Sequence, residues 1–328
     1  MSFSTVDHGM MARALRLAER GMWTTSPNPR VGCVLVRDGE IVGEGWHERA
    51  GAPHAEANAL RAAGELAGGA TAYVTLEPCS HHGRTPPCVD AIIEAGVAEV
   101  HVAVGDPDAK VAGRGLAALR AAGITVHTGL LADDVAEQLT PYLHHRRTGR
   151  PYVVLKLAAT LDGRTAAPDG TSQWITSAAA RADVHRLRAE STAILVGAGT
   201  VRADNPSLTV RDVDGPSPRR VVLGRAAEGA RVHPCTEYSG PLPHLLDQLG
   251  AEGVLQLMVE GGASVAADFH RQRLVDRYVV YLAPALMGGD DGLPLFRGPG
   301  SPTMRDLWRG RIVSVRQIGP DLRIDLVP

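Results

Sequence analysis

The sequence predicts an α/β protein of two domains, and three observations lead to this prediction. The chain has 328 residues, and a domain commonly holds about 100 to 200 residues. In both halves, apolar segments with the spacing of strands alternate with segments of helical spacing, as in sheets covered by helices. Between the halves lies a polar stretch, residues 144–151, that ends in Gly-Arg-Pro and indicates a domain boundary. We therefore divide the chain into residues 1–147 and residues 151–328.

The first half begins with a helix over residues 10–19, where apolar residues recur at helical spacing and Gly21 follows as a stop signal. Residues 31–36 and 40–46 are two short strands joined by Asp38-Gly39, a dipeptide that suits a tight hairpin turn. The order then continues as helix 54–63, strand 70–76, helix 87–95, strand 99–104, helix 113–122, strand 124–127 and helix 133–145. Such an alternation builds a sheet with helices on both faces.

The second half is also predicted to be α/β, with no internal repeat that relates it to the first. Strands are expected over residues 152–159, 193–196, 220–223, 254–259 and 278–282, and within residues 312–327. Helices are expected over residues 178–190 and 263–270.

Composition and charge exclude several classes of protein. Lys and Arg number 34 against 36 acidic residues, so no basic field is present to hold a nucleic-acid backbone. The four cysteines are too few and too unevenly spread for a disulfide framework, which favours a reducing compartment. Residues 1–20 lack the apolar core of a signal peptide, and no stretch approaches the roughly 18 to 20 apolar residues of a membrane span. We expect a cytoplasmic protein without nucleic-acid or membrane partners; a homo-oligomer is compatible with the sequence, which does not determine the oligomeric state.

Three candidate metal ligands lie where predicted elements begin or end. His54 opens a helix after Pro53, Cys79 follows a strand, and Cys88 opens another helix. Helix N-termini favour the thiolate form of cysteine, which is the form that binds zinc. Three protein ligands leave the fourth tetrahedral position to water, and zinc brings the pKa of that water to roughly 7. The pattern therefore predicts a catalytic zinc site.

Glu56, two residues beyond His54, is not a ligand and can move protons from the zinc-bound water to a leaving nitrogen. This is the chemistry of hydrolytic deamination. A structural zinc site would instead need a fourth ligand, for which His81 or His82 remains available, whereas Cys33 in mid-strand is expected in the core. Buried cysteines without a metal are the other alternative.

Residues 75–88, TLEPCSHHGRTPPC, together with the run His54-Ala55-Glu56-Ala57, closely resemble the deaminase half of bifunctional riboflavin-biosynthesis deaminase/reductases. The eight residues between the cysteines are the specific feature, because most cytidine and tRNA-adenosine deaminases have two there. The resemblance implies a cytidine-deaminase-like three-layer α/β/α domain in which His54, Cys79 and Cys88 bind Zn²⁺ and Glu56 moves protons. It also implies deamination of a diaminopyrimidinone ribosyl 5′-phosphate, a small-molecule partner.

The loop between the two cysteines supplies polar groups beside the metal. His81 and Arg84 can donate hydrogen bonds to a phosphate or to a pyrimidine oxygen. Asn28, between two prolines, is a candidate for reading the base, as in similar deaminases, and His47 is a further candidate. Each of these residues could equally be a solvated loop or turn residue.

Three segments of the second half suggest a nucleotide site. The first, residues 155–164, is a strand that leads into a turn and carries Lys156 among apolar residues. The second, residues 196–206, is a strand followed by small residues. The third, residues 259–264, has two glycines between a strand and a helix. Glycines at such a junction let backbone N–H groups approach a phosphate, and the helix N-terminus attracts its charge. None of the segments reads G-x-G-x-x-G, so each signal alone is weak.

The three segments, in the order in which they occur, resemble the reductase half of the same bifunctional family. The fold of that reductase half is similar to the fold of dihydrofolate reductase. The resemblance implies NADPH contacts from Ala158, Trp174, Thr200, Asp204, Gly262, Ala263 and Ser264. It implies substrate contacts from Ser172, Arg188, Leu208, Arg211 and Glu260. The reaction is then hydride transfer from the nicotinamide to C1′ of the ribosyl group, which leaves a ribityl chain, with the cofactor supplying the hydride.

The chemistry of these side chains agrees with the resemblance. Arg188 and Arg211 offer forked donors for a sugar phosphate, and Glu260 can accept from a ring amine or ribose hydroxyls. Lys156 either stabilises or protonates the reacting sugar oxygen or nitrogen, or it is a strand-end cation on an exposed face. The stretch between residues 219 and 254 is shorter than is usual in the family, so the choice between NADPH and NADH stays open, and Arg225 is a candidate partner for the 2′-phosphate.

Two other functions stay open at this point. One is a zinc deaminase that acts on nucleosides or nucleic acid and carries a non-catalytic second domain, which the acidic balance and the 4% aromatic content disfavour. The other is a chain in which one half only supports the other. We expect the bifunctional enzyme.

Overall fold

Two units make up the chain in the computed structural model, Met1–Gly149 and Arg150–Pro328. The structure describes residues 3–81 and 86–328. Arg84, a predicted substrate-binding residue, therefore lies outside the described residues. Within the described ranges, no helix is long and apolar enough to cross a membrane.

The first unit contains one mixed sheet. Its helices are α1 Thr5–Glu19, α2 Ala55–Ala63, α3 Cys88–Glu94, α4 Arg114–Ala121, α5 Ala132–Gln138 and α6 Thr140–Thr148, with a 3₁₀ turn over Gly64–Ala67. Its strands are β1 Gly32–Arg37, β2 Glu40–Trp46, β3 Thr71–Leu76, β4 Glu99–Val104 and β5 Thr125–Thr128. The strand order is β2-β1-β3-β4-β5, in which β1 is antiparallel to both neighbours and β3, β4 and β5 are parallel.

Glycines in β1 and β2 let helices approach both faces of this sheet. A Cβ at Gly32 would lie 1.9 Å from the carbonyl oxygen of Ala14 in α1, and a Cβ at Gly45 would lie 2.3 Å from that of Ala55 in α2. Gly45 pairs with Cys33, the neighbour of Gly32, so the two glycines face opposite sides of the sheet. Helices α1 and α2 therefore cover opposite faces, which confirms the predicted three-layer arrangement.

The hairpin between β1 and β2 is confirmed. Asp38 and Gly39 have φ angles of 53° and 83°, and positive φ at both central residues is the geometry of a type I′ turn. Arg37 pairs with Glu40, so the turn has the two residues that the sequence predicted.

The single helix predicted over residues 133–145 is wrong, because the segment forms two helices, α5 and α6. They meet at Leu139, whose φ and ψ of −95° and 5° lie outside the helical region. Pro141 stands in the first turn of α6. It has no N–H to donate to residue 137, and its ring would clash with that carbonyl in a continuous helix. The helix therefore has to restart just before the proline.

The second unit is built on a larger sheet. Its helices are α7 Ala178–Glu190, α8 Ala198–Asp204, α9 Leu242–Ala251 and α10 Ala263–Arg271. Its strands are β6 Tyr152–Thr160, β7 Arg164–Ala166, β8 Ala193–Gly197, β9 Arg219–Leu223, β10 Thr236–Tyr238, β11 Gln256–Val259, β12 Arg277–Ala283, β13 Leu293–Pro294, β14 Arg311–Ile318 and β15 Asp321–Val327. The eight-stranded order is β10-β9-β8-β11-β6-β12-β15-β14, parallel from β10 to β12 and antiparallel at β15 and β14. Strands β7 and β13 form a separate pair.

Candidate active sites

The three predicted zinc ligands converge in the first unit. His54 is the N-cap residue of α2, Cys79 follows the end of β3, and Cys88 is the first residue of α3. His54 Nδ1 lies 3.5 Å from Cys79 Sγ and 3.3 Å from Cys88 Sγ. One imidazole and two thiols are a donor set that fits a zinc ion. Of the described residues, no other His, Cys, Asp or Glu completes this group, and His81 is outside it.

The groups around Cys79 favour its thiolate form. The hydrogen bond from the Cys88 thiol, aided by one from the His54 ring, lowers the pKa of Cys79 to about 4 against the opposing effect of burial. The backbone N–H of Cys88 also donates to Cys79 Sγ at 3.4 Å. The thiolate is the form of cysteine that binds metal, so a lowered pKa is what a zinc ligand at this position requires.

Glu56 lies beside these ligands in the first turn of α2. The residue is only 4% exposed, and burial raises the pKa of its carboxyl above the usual value. A carboxyl whose pKa is closer to neutral can accept a proton and return it within one turnover. Glu56 lines the same pocket as His54 and Cys79, which is the position that a proton carrier requires.

His54, Glu56 and Cys79 line a pocket of about 440 Å³. Asn28 and His47 both line it, and Asn28 Nδ2 lies 3.1 Å from His47 Nε2. His47 Nδ1 faces the carbonyl oxygen of Pro53 at 3.1 Å, and burial lowers the pKa of this histidine. In a neutral His47 whose Nδ1–H donates to Pro53, Nε2 is free to accept a hydrogen bond from the Asn28 side-chain amide. This hydrogen bond orients the Asn28 amide. His81 also lines the pocket, and its buried Nδ1 has no partner among the described residues.

Glu77 is a pocket residue that was not among the predicted site residues. Its carboxylate, 4% exposed, accepts four backbone N–H groups from the segment 106–116. The donors are Asp106 at 3.2 Å, Gly113 at 3.1 Å, Gly115 at 3.0 Å and Leu116 at 3.3 Å. Glu77 stands two residues before Cys79, a proposed zinc ligand. Its hydrogen bonds therefore connect the segment 106–116, part of the pocket wall, to the chain that follows β3.

The second unit contains a bidentate ion pair between Arg188 of α7 and Glu260, the residue that follows β11. Arg188 Nε lies 2.6 Å from Glu260 Oε1, and Arg188 Nη2 lies 2.9 Å from Glu260 Oε2. Both side chains are largely buried. The sequence predicted two separate substrate contacts here. The structure shows that each of these residues has the other as its partner.

Lys156 belongs to the same buried group of charges. Burial lowers the pKa of its amine, and the charge of Glu260 opposes that shift. Lys156 stands in the middle of β6 and pairs with Val279 of β12. The alternative that it is a strand-end cation on an exposed face is therefore wrong.

Two of the residues predicted to hold NADPH are in contact. The N–H of Gly262, the N-cap residue of α10, donates to Thr200 Oγ1 of α8 at 3.2 Å. This contact joins α8, which follows β8, to the start of α10, which follows β11. Asp204 ends α8, Ala263 and Ser264 begin α10, and Ala158 stands two residues after Lys156 in β6.

The remaining predicted residues of this half lie in two loops. Ser172 and Trp174 lie between β7 and α7, where the Trp174 ring is 68% exposed and lies 4.4 Å from the guanidinium carbon of Arg181. The Leu208 side chain is buried in the core at 3% exposure, so a substrate contact there would come from its backbone. Arg211 Nη1 donates to Ser207 Oγ at 2.6 Å.

Comparisons with known proteins agree with both sites. A model of the cytidine and deoxycytidylate deaminase zinc-binding region matches residues 4–104, and a model of the RibD C-terminal domain matches residues 151–324. The riboflavin biosynthesis protein RibD of Escherichia coli is 47% identical over 365 residues, covering 98% of this chain and 99% of that protein. The chain belongs to the RibD family. The length of that alignment exceeds the 328 residues of this chain, so the relative carries residues that this family member lacks.

Solved RibD structures share the fold along nearly the whole chain. Form 1 of Acinetobacter baumannii RibD matches with a TM-score of 0.94 at 40% identity and covers 98% of this chain and 99% of its own. A diaminohydroxyphosphoribosylaminopyrimidine deaminase/5-amino-6-(5-phosphoribosylamino)uracil reductase from Thermotoga maritima matches with a TM-score of 0.91 at 34% identity, again over 98% and 99%. This RibD family member is therefore an enzyme of riboflavin biosynthesis with a zinc-type deaminase domain and a reductase domain, and its cofactors are Zn²⁺ and NADPH. The predicted fold class and function are confirmed, and the nucleic-acid alternative is not favoured.

We expect a Glu77→Gln variant to loosen the segment 106–116. The amide keeps one acceptor oxygen but turns an NH₂ group toward backbone donors, and a hydrogen bond to a charged group contributes roughly 1.5–3 kcal/mol. Amide hydrogen exchange at Gly113 and Gly115 should accelerate by about 10- to 100-fold. Glu94→Gln, at an exposed position of α3, is the matched control. Equal exchange in both variants would show that Glu77 does not hold the segment.

The reductase half should lose affinity for its substrate as the pH falls. His185 is 5% exposed, and its Nδ1 accepts from the backbone N–H of Arg211 at 3.3 Å. Burial, followed by the charge of Arg188, lowers the pKa of His185, which favours the neutral ring that this hydrogen bond requires. Protonation removes the acceptor and frees the Arg211 backbone.

We therefore expect the KM of the reductase substrate to rise as the pH falls from about 7 to about 5, below the ordinary histidine pKa. Steady-state NADPH oxidation measures this KM. A His185→Gln variant keeps an acceptor that does not titrate, so it controls for titration of the substrate phosphate. The same pH slope in both enzymes would rule out His185 as the cause.

Proposed function

We propose that this RibD family member hydrolytically removes the ring amine of 2,5-diamino-6-ribosylamino-4(3H)-pyrimidinone 5′-phosphate and then reduces the ribosyl group to ribityl with NADPH. The two activities in the name of the Thermotoga maritima relative support this order of chemistry. The observation that carries the proposal is the convergence of His54, Cys79 and Cys88 at the edge of a pocket that His54, Cys79 and Glu56 line.

In the deaminase half, we propose His54, Cys79 and Cys88 as the zinc ligands. The ion, when bound, activates water for attack on the ring carbon that bears the amine. Glu56 accepts a proton from that water and donates a proton to the leaving nitrogen, which departs as ammonia. Its burial suits both transfers, because burial raises the pKa of the carboxyl and so makes its protonated form easier to reach.

Asn28, His81 and Arg84 are the proposed substrate contacts in this half. The hydrogen bond to His47 orients the Asn28 amide toward the pyrimidine. His81 brings a buried ring nitrogen without a partner among the described residues, and such a group gains a hydrogen bond when a polar ligand enters. The role of Arg84 rests on the sequence.

In the reductase half, we propose Lys156 as the acid that protonates the reacting sugar oxygen or nitrogen. NADPH supplies the hydride when it is bound. Glu260 lies close enough to stabilise the charge of both Lys156 and Arg188. The proposed NADPH contacts are Ala158, Trp174, Thr200, Asp204, Gly262, Ala263 and Ser264, and the proposed substrate contacts are Ser172, Arg188, Leu208, Arg211 and Glu260.

We assign the deaminase to residues 1–147 and the reductase to residues 151–328. We further propose that the enzyme works in the cytoplasm on small pyrimidine ribosyl phosphates. The four cysteines, which are free thiols in the structure, fit a reducing compartment.

Two assays test the proposed function. Ammonia release is measured with the free diaminopyrimidine nucleotide and, separately, with a single-stranded oligonucleotide. Loss of NADPH absorbance is measured with the deaminated nucleotide as substrate. We expect turnover of the nucleotide in the first assay and oxidation of NADPH in the second. Turnover of the oligonucleotide with no turnover of the nucleotide would contradict the proposal.

A further inference from the structure

A second group of metal-binding side chains lies in the first unit, apart from the deaminase pocket. Glu99 and His101 stand on β4, and His127 stands on β5. One ligand atom from each lies within 4.8 Å of the others. Glu99 is the first residue of β4, and the pocket residue Asp106 lies just beyond the last residue of the same strand. The group and the deaminase pocket are therefore at opposite ends of β4. At 3.3 Å per residue, β4 alone separates the two places by roughly 17 Å.

Strand register brings the three side chains together. His101 pairs with His127 across the parallel strands β4 and β5. Glu99 and His101 are two residues apart on β4, so both point to the same face of the sheet. Glu99 Oε1 consequently lies 2.9 Å from His101 Nε2 and 3.0 Å from His127 Nε2.

Neighbouring rings hold His101 in place. The His101 ring, 5% exposed, stacks on Tyr73 at 4.8 Å with an interplanar angle of 14°. It also stacks on His127 at 4.8 Å with an angle of 28°. Tyr73 is anchored in turn, because its hydroxyl donates to Asp7 Oδ1 at 2.7 Å. Because the His101 and His127 rings are stacked, their Nε2 lone pairs do not point at one position, and the more exposed His127 ring has to turn about its side-chain bonds to share an ion with His101.

The donor set selects the kind of ion. Two imidazole nitrogens and one carboxylate oxygen suit zinc and neighbouring divalent transition metals, whereas Mg²⁺ and Ca²⁺ prefer oxygen ligands. Buried His101 Nδ1 has no partner among the described residues, so the polar contacts of this ring lie at Nε2, toward Glu99. The side chains of Glu99 and His127 are 35% and 23% exposed, so an ion can enter from solvent and water can complete its coordination.

We propose that Glu99, His101 and His127 bind a second zinc ion, separate from the ion of the deaminase site. No step of the proposed reactions uses this site. A bound ion joins β4 to β5 through three side chains, so its effect is on the stability of the first unit.

Equilibrium dialysis of the zinc-loaded enzyme against micromolar Zn²⁺, followed by metal analysis, tests the proposal. We expect two zinc ions per chain in the wild type and in a His244→Ala control, which removes an exposed histidine of α9. Glu99→Gln and His127→Ala should each weaken the second equivalent by at least about 10-fold, by loss of one ligand. Retention of the first zinc shows that each variant is folded. One equivalent in the wild type, or a second equivalent that both variants keep, overturns the proposal.

Co²⁺ added to the zinc-loaded enzyme gives an independent readout. Cobalt at the proposed site should show visible d–d bands without a thiolate charge-transfer band, because the site contains no sulfur. A thiolate band would place the cobalt at Cys79 and Cys88 and overturn the assignment. Failure of the deaminase proposal would instead appear as loss of the first zinc equivalent, so the two failures are distinguishable.

Discussion

A Glu56→Ala variant is expected to release ammonia about 10²- to 10⁴-fold more slowly than the wild type, the range for removing a positioned acid–base group. The buried carboxyl of Glu56 is the proposed proton carrier between water and the leaving nitrogen. Zinc content should stay at the wild-type level, because Glu56 is not a ligand. NADPH oxidation should also be unchanged.

A Glu56→Gln variant separates proton transfer from packing. The amide keeps the size of the side chain and its place in the first turn of α2, but it cannot exchange a proton. We expect the same loss as in Glu56→Ala, measured by ammonia release at saturating nucleotide. Substantial activity in Glu56→Gln, or loss of both activities together in either variant, would contradict the role given to this residue.

A Lys156→Met variant is expected to oxidise NADPH about 10²- to 10³-fold more slowly, again within the range for an acid–base group. Methionine retains the unbranched apolar stem inside the sheet and removes the charged amine. Deaminase activity should be unchanged. The chain offers a matched control, because its only other lysine is Lys110. Lys110→Met should leave NADPH oxidation at the wild-type rate.

The pH profile of the reductase distinguishes an acid from a merely structural lysine. Burial lowers the pKa of Lys156, and an acid must be protonated to act. The wild-type rate should therefore fall as the pH rises through this lowered pKa, and Lys156→Met should lack that alkaline limb. An identical alkaline limb in both enzymes would show that another group causes it.

The convergence of the three proposed zinc ligands could be predicted because their positions depend on local structure. His54, Cys79 and Cys88 each stand at the first or last position of a helix or beside the end of a strand, and the boundaries of these elements follow from hydrophobic periodicity and proline. The alternation of elements in the first half predicted the sheet and both helical layers for the same reason.

Contacts between distant parts of the chain could not be predicted in this way. The chemistry of Arg188 and Glu260 was recognised, but nothing in the sequence shows that two residues 72 positions apart bind each other. Glu77 was missed because its four donors come from a segment about 30 residues later. The only available signal was an acidic residue directly before Pro-Cys at the end of a strand.

Helix α9 was also missing from the prediction, although its signal was present. Leu242, Leu245, Leu246 and Leu249 recur at helical spacing, and all four are buried. The group of Glu99, His101 and His127 is a different case. The two-residue spacing on β4 is visible in the sequence, but the contact with His127 exists only through the register of β4 and β5.

X-ray absorption at the zinc edge, on enzyme carrying one zinc per chain, tests the central claim most directly. We predict two sulfur neighbours at about 2.3 Å, one imidazole nitrogen at about 2.0–2.1 Å and one oxygen that does not come from a side chain. That shell corresponds to Cys79, Cys88 and His54 with a position left for water. A shell with four protein ligands, or one without two sulfurs, would contradict the assignment of this pocket as a zinc-dependent deaminase site.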